Sequence, residues 1–442
     1  MCSFFFSTDN NISDINKVNH FLKRRGPDYT SVKVIDNMLF LHNLLSITGN
    51  FTIQPYTHHD DNYVCIFNGE IYNYKGRSES EFIIEAYKDY GKKFVNYLDG
   101  EFSILIYDKL NQTIIVASDI FKTKPLYYSK NNDNFYVSTY ASALNNINKS
   151  LIINKFKPNH ILEYSIQKKE ILSYEVYHDF SLKQYKKTYD DWCLSFEKAV
   201  LKRSDNNREN IFIGLSCGHD SGAISLALNN HNKKYSSYTI RADEDLNIIN
   251  HRHILNSKNN NKCHLINLSR KNFNENYNFL IQNCENEKYE HNSQASVLDD
   301  KASMGLAEIC KYANKNNEKI YLSGQGADEI ISCYMMFGRP IYSHSSFNGI
   351  FPEDLSKVFP WKSFYGGTMA SYLSKEECVN GAYGIESRYP FLDKDVVQEF
   401  LNLSHNLKNK EYKAPLDYYL TKQNYPFLKR VKKGFSADRN LI

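Results

Sequence analysis

Cysteine stands second in the chain, and removal of Met1 would place a thiol and a free α-amine on one residue. An α-amine has an unperturbed pKa of about 7.7–8.0, so it can take the thiol proton near neutral pH and make Cys2 a nucleophile. By itself a cysteine near a terminus is far more often an ordinary core residue. Phe67-Asn68-Gly69-Glu70-Ile71-Tyr72-Asn73 sets a side-chain amide beside a flexible backbone N–H. Paired donors of that kind can stabilise an oxyanion, while the bland reading is a hairpin turn ending a strand. Leu98-Asp99-Gly100-Glu101-Phe102 is expected to be a second such turn, and Arg25-Gly26-Pro27-Asp28 a rigid turn carrying charge. Farther on, Leu215-Ser216-Cys217-Gly218-His219-Asp220-Ser221-Gly222 places a small-residue loop between a strand and a helix. Its N–H groups and the helix dipole would form an anion nest, although a merely capped helix start is the alternative. No Gly-Lys-Ser/Thr follows, so it is not a Walker A loop.

These residues need elements to position them. The first ~150 residues are rich in strand signals: Tyr63–Phe67, Phe102–Tyr107 and Thr113–Ala117, interrupted by a helical stretch from Ser80 to Tyr90. Asn131-Asn132-Asp133 adds a turn. Stacked antiparallel sheets with helices outside are expected. A polar, lysine-rich stretch near 150–185 marks the domain junction, giving domains 1–180 and 181–442. Beyond Asp190, strand signals at Ile211–Leu215, Tyr238–Ile240 and Lys319–Leu322 alternate with helical ones such as Ala223–Leu228. That alternation predicts a parallel α/β sheet. Asn256 to Lys262 is expected to be a loop. His58-His59-Asp60-Asp61 imitates a metal cluster but is expected to cap a solvated hairpin loop, and His251-Arg252-His253 lies on a helix with a surface role as plausible as one near a nucleotide.

Cys2, the RGPD turn, FNGEIYN, LDGEF and Asp119…Lys124-Pro125-Leu126-Tyr127-Tyr128 together resemble the glutaminase domain of class II amidotransferases. The 215–222 loop resembles the Ser-Gly-Gly-x-Asp-Ser loop of ATP pyrophosphatases, with Cys217 in place of the first Gly, where it would crowd a phosphate. Ser323-Gly324-Gln325-Gly326-Ala327-Asp328-Glu329, Gly384-Ile385-Glu386-Ser387-Arg388-Tyr389-Pro390-Phe391-Leu392-Asp393 and Arg430-Val431-Lys432-Lys433-Gly434-Phe435 resemble later signatures of the asparagine synthetase family. The resemblance runs from Cys2 to Phe435. It implies an N-terminal-nucleophile hydrolase αββα sandwich followed by a parallel α/β ATP-pyrophosphatase domain.

The same resemblance implies the roles. Cys2 releases ammonia from glutamine, with Asn68 and Gly69 as the oxyanion hole; Glu70, Glu79 and Asp28 bind glutamine. Leu215, Ser216, Gly218, Asp220, Ser221, Ser323, Gly324, Gln325 and Asp328 bind ATP. Asp220 and Asp328 are the candidate Mg²⁺ carboxylates, since charge must be offset where a carboxylate attacks the α-phosphorus. Lys432 would meet the pyrophosphate, or else belong to a solvated basic patch, and Glu386 completes the catalytic set. Ammonia would travel through an internal tunnel to an acyl-adenylate, giving amide, glutamate, AMP and pyrophosphate, with aspartate the default acceptor. Two departures bear on glutamine: Leu44 stands where the family has an arginine, in His42-Asn43-Leu44-Leu45-Ser46, and Glu79 stands where it has aspartate, after a shortened link from Glu70. Gln325 stands where a family subset has Glu.

Bulk properties agree with an enzyme of small molecules. The formal net charge is +4, too little to indicate a nucleic-acid binder. Nine scattered cysteines without a CxxC pair fit a reduced, cytoplasmic setting better than a disulfide framework. No signal peptide or membrane span is expected, and the partners expected are glutamine and a carboxylate, with a homodimer admitted. Two rivals remain: amidation of another carboxylate (a sugar acid, peptide or secondary metabolite), supported by the end at Ile442 soon after Phe435 and by the unusual phosphate loop, and a catalytically weakened regulatory homologue, motivated by Leu44 and Cys217.

Overall fold

Strand Ser3–Ser7 is buried along its whole length, so it must lie inside a layered unit rather than on its rim. In the computed structural model, which describes residues 2–205, 209–242, 244–332, 335–336, 339–340, 347 and 349–429, it is an inner strand of a six-stranded sheet. The sheet runs Asn154–Lys155, Tyr127–Lys130, Phe135–Ser138, Ser3–Ser7, Met38–Leu44, Tyr29–Ile35, antiparallel throughout. A second antiparallel sheet of six strands runs Glu170–Val176, His160–Ser165, Thr113–Ser118, Gly100–Asp108, Tyr63–Ile71, Tyr56–Thr57. Alternate side chains of each sheet form one core: Phe4, Phe6 and Phe40 from the first meet Ile66, Leu105, Val116 and Leu162 from the second. The opposite face of the second sheet is covered by helix Glu79–Tyr90 through Ile83 and Ile84, and short helix Leu22–Arg25 packs on the first sheet. This is the αββα sandwich.

Two expected turns are strand instead. Asn68 and Gly69 pair with Ser103 and Phe102, and Gly100 pairs with Ile71, so the ladder runs straight through both Asn-Gly and Asp-Gly. Gly69 has φ +138°, and a Cβ there would lie 2.8 Å from the Glu101 carbonyl carbon, so glycine serves close strand approach rather than a hairpin. The Asn131 turn does form, with the Asn131 side chain accepting from the Asp133 and Asn134 N–H groups.

Residues up to Asp179, with 283–285 and 381–384, make the first compact unit; 180–282, 286–380 and 385 onward make the second. The second holds a five-stranded parallel sheet ordered Lys262–Ile266, Ser236–Ile240, Asn210–Gly214, Glu318–Leu322, Glu386–Arg388. Counted along the chain this is a 3-2-1-4-5 order, whose direction reverses between Asn210–Gly214 and Glu318–Leu322. In doubly wound sheets ligands bind at the carboxyl ends of the strands flanking that switch point. The segment expected to be a loop, Asn256 to Lys262, is mostly not one: helix Leu246–Lys258 continues through it and Lys262 opens the next strand. Buried Asn256 explains the difference, because its side-chain oxygen accepts from Ser225 and Asn229 inside the fold. Among the described residues no helix is long and apolar enough to cross a membrane.

Candidate active sites

In the first unit, Cys2 is buried at the start of strand Ser3–Ser7, and its Sγ points toward the Leu45 carbonyl 3.9 Å away. Arg25, wholly buried, donates from Nε to the Cys2 carbonyl at 3.0 Å and from Nη1 to the Tyr140 hydroxyl at 2.9 Å, so the RGPD turn fixes the backbone of the nucleophile. Asp28 closes that turn by accepting from Ser46 N–H, and its own N–H donates to Leu44. His42 ties the two sheets together across 3.2 Å to the Phe67 carbonyl. Burial pushes its pKa down to about 3, so it stays neutral and its Nε2–H donates.

Asn68 is 0% exposed, yet neither its side-chain oxygen nor its nitrogen has a hydrogen-bond partner. Burying an amide without a partner costs on the order of 1–3 kcal/mol, so such a group signals a site waiting for a ligand. Glu70 follows, buried, in register with Glu101. Glu79, first residue of its helix, spends Oε1 on the Ile71 N–H at 2.7 Å, bracing the end of the same strand. Asp119 gathers N–H groups of Phe102, Phe121 and Thr123, and Lys124 lies 3.5 Å from Glu101; this motif shapes the loop behind the site. Burial raises Asp119 to about 6. Leu44 is buried and supplies no donor side chain, while Arg24 and Arg77 are exposed.

In the second unit both loops leave the carboxyl ends of the two strands at the switch point. Ser216 N–H donates to Ser221 Oγ at 3.0 Å, and Gly218 N–H to Ser216 Oγ at 3.2 Å. The Leu215 carbonyl accepts from Thr239. Cys217 is buried, burial pushes its thiol up to about 11, and its N–H donates to Glu244 Oε2 at 2.6 Å. A Cβ on Gly324 would lie 2.9 Å from the Asp220 Cβ, so the second loop rests against the first. Gln325 N–H donates to Ser323 Oγ, and its side chain to Glu329.

Lys413 brings the carboxylates together. Its ammonium lies 2.6 Å from both Asp220 oxygens and 2.8 Å from Asp328 Oδ1. Both carboxylates raise its pKa well above the usual lysine range. It sits in the left-handed region, φ 49°, immediately before helix Ala414–Lys422. A non-glycine residue held there costs about 1–3 kcal/mol, a strain that clusters at functional sites. Two carboxylates converging on one cation, beside an anion nest, also suit Mg²⁺, which takes one or two carboxylates and otherwise phosphate oxygens and water.

Glu386 lies on the strand paired with Glu318–Leu322. It is buried on strand Glu386–Arg388 with Arg388 Nε at 2.8 Å, and Arg388 in turn reaches the Arg203 carbonyl. Arg203 pairs with Asp393 at 2.8 Å. The Gly384–Asp393 motif thus carries an internal ion network in which Arg388 holds Glu386. Lys432 lies outside the described residues.

Residues 1–187 match the glutamine amidotransferase domain family and 194–377 the asparagine synthase family. One chain thus carries a glutamine amidotransferase match followed by an asparagine synthase match. Named relatives are about equally distant. Asparagine synthetase (glutamine-hydrolysing) 2 of Oryza sativa is 25% identical, over 90% of this chain and 67% of its own length. Its counterpart 1 of Saccharomyces cerevisiae is 25% identical over 88% and 72%. Among solved structures, a glutamine phosphoribosylpyrophosphate amidotransferase from B. subtilis with ADP and GMP is 12% identical, covering 60% of this chain and 65% of its own, with a TM-score of 0.34.

Against the asparagine synthetase family pattern, three residues found in the structure were not singled out as site residues in the sequence: Lys413, Glu244 and Arg25. A fourth, Arg252, for which the sequence leaves a surface role and one near the nucleotide both open, is wholly buried and reaches the 216–218 loop. His58 is likewise buried, not solvated. Its two nitrogens lie 2.8 Å from Asp60 and 2.6 Å from Glu85. His58, His59 and Glu85 present ligand atoms within 4.8 Å of one another, while both His58 nitrogens are engaged by Asp60 and Glu85 and Lys88 stands 3.4 Å from Glu85.

Proposed function

We propose that the protein transfers nitrogen from glutamine to a carboxylate activated by ATP, acting as a carbon–nitrogen ligase. The observation that carries this is that one chain matches two families, glutamine amidotransferase and asparagine synthase. At the first site the Cys2 thiolate attacks the glutamine carboxamide. The α-amine of Cys2, free once Met1 is removed, takes the thiol proton and passes it to the departing ammonia. The open Asn68 amide and the Gly69 N–H would meet the oxyanion, and water then releases glutamate. Glu70, Glu79 and Asp28 surround the glutamine.

At the second site the acceptor carboxylate attacks the α-phosphorus of ATP, an acyl-adenylate forms and pyrophosphate leaves. Ammonia then attacks the acyl carbon and AMP departs with the C–O bond electrons. Leu215, Ser216, Gly218, Ser221, Ser323, Gly324 and Gln325 would cradle the nucleotide. Asp220 and Asp328 would hold Mg²⁺, which when bound supplies positive charge against the phosphates. Lys413 keeps a fixed cation between the same carboxylates, a position from which it can meet phosphate oxygens. Aspartate is the acceptor suggested by the family; a different carboxylate is the alternative. A pyrophosphate-release screen across carboxylates, with ammonia supplied, tests the reading. Pyrophosphate with one or more acceptors supports it, and none with any carboxylate sinks it in favour of a regulatory role.

A further inference from the structure

Arg252 is fully buried on helix Leu246–Lys258, and among the described residues its guanidinium bonds carbonyl groups rather than a carboxylate. Nη1 donates to the Ser216 carbonyl, and Nη2 to the Gly218 carbonyl at 2.9 Å and the Cys217 carbonyl at 3.5 Å. Nε donates to Pro426 at 2.8 Å, and the guanidinium lies over the Tyr425 ring. Leu428 N–H adds a second hold on the Cys217 carbonyl at 3.1 Å. Three consecutive carbonyls are therefore drawn to one side of the loop.

The consequence follows from peptide geometry. Carbonyls gathered on one side turn the N–H groups that follow them to the other, and those of Cys217 and Gly218 are held there by Glu244 Oε2 and Ser216 Oγ, which fixes the loop leading into helix His219–Asn230. The Cys217 N–H already carries an anionic oxygen there, that of Glu244. A buried charge is costly unless it is compensated. Carbonyl dipoles supply part of that compensation, and phosphate beyond the loop would supply the rest. The sequence is fitted to this guanidinium: a Cβ on Gly222 would lie 2.8 Å from Arg252 Cζ, so glycine there and arginine at 252 are a matched pair.

We infer that Arg252 is a positioning residue of the ATP site, holding the 216–218 carbonyls so that the loop sets the start of helix His219–Asn230, where N–H groups would meet phosphate oxygens. The inference rests on the ATP reading above. It is tested by ATP–pyrophosphate exchange in the full-length enzyme and in Arg252→Lys, Arg252→Met, Gly222→Ala and the Arg252→Met/Gly222→Ala double variant. Thermal unfolding and the KM for glutamine are followed in parallel. Expected is a KM for ATP raised about tenfold or more in each single variant, Arg252→Lys included, with the KM for glutamine unchanged. Because Gly222→Ala acts by displacing Arg252, it should add less than about twofold once Arg252 is Met. If the Arg252 variants do not fold, Gly222→Ala decides alone. A KM for ATP within about twofold of wild type in folded single variants, or full additivity in the double variant, overturns the inference alone. A wild type that neither binds nor turns over ATP overturns the ATP reading and this inference with it.

Discussion

Replacing Asn68 with alanine should separate stability from activity in an unusual direction. Most buried polar groups hold their fold together, and their loss costs stability. Among the described residues Asn68 has no side-chain partner: it is 0% exposed and neither of its polar side-chain atoms is hydrogen-bonded. Its burial costs on the order of 1–3 kcal/mol, which the alanine variant recovers. Against that stands the small void left by the amide, on the order of 1 kcal/mol. The net change in unfolding free energy is expected between roughly zero and about 2 kcal/mol of stabilisation. Glutamine hydrolysis should fall about 10²–10³-fold, the effect of removing one oxyanion donor. Ammonia-dependent amidation should stay at its wild-type rate. Denaturant unfolding and a glutaminase assay on the same preparation read both quantities. A variant clearly destabilised, or one that keeps wild-type glutaminase activity, would refute the claim that this amide is held open for the oxyanion.

Lys413→Met should lower AMP formation about a hundredfold or more while glutaminase activity survives, because it removes the cation shared by Asp220 and Asp328; unchanged AMP formation would remove Lys413 from the site. Leu44→Arg should improve the KM for glutamine without altering the ammonia-dependent rate, since a buried leucine now stands where a guanidinium could bind the carboxylate in two places. An unaltered KM would show the clamp to lie elsewhere. Glu376 is 8% exposed, and burial raises its carboxyl from 4.5 to about 7. The folded state therefore disfavours the ionised form: stability is full below about pH 4.5 and declines as pH rises toward 7. Glu376→Gln should match wild type near pH 5 and exceed it at pH 8 by on the order of 3 kcal/mol in denaturant unfolding. Equal stabilities at pH 8 would contradict it.

Residue type and order made Cys2, Asn68-Gly69 and both phosphate loops legible in the chain, because each needs a particular chemical group at a particular spacing. Their conformation was less so. Asn-Gly is the strongest short-range hairpin signal, yet pairing with Ser103 and Phe102 carries the strand through it, a tertiary constraint no local pattern encodes. The Asn256 to Lys262 stretch misled for a similar reason, since a polar composition hid a buried Asn256 whose side-chain oxygen is hydrogen-bonded inside the fold. Lys413 was invisible because its partner Asp220 is 193 positions away and nothing in its neighbours marks a cation site. Arg252 was visible as a residue but not as a buried one: its helix has little apolar asymmetry from which to infer which face turns inward.

The central claim, glutamine nitrogen joined to an ATP-activated carboxylate, is tested most directly with amide-labelled [15N]glutamine. Wild type and Cys2→Ala are incubated with ATP, Mg²⁺ and a panel of acceptors beginning with aspartate. The account predicts labelled amide in the product of wild type, with one AMP and one pyrophosphate per amide. It predicts no label transfer by Cys2→Ala, which should still form amide from added ammonia. Label released only as free ammonia with no AMP from any acceptor, or ADP and phosphate in place of AMP and pyrophosphate, would contradict it.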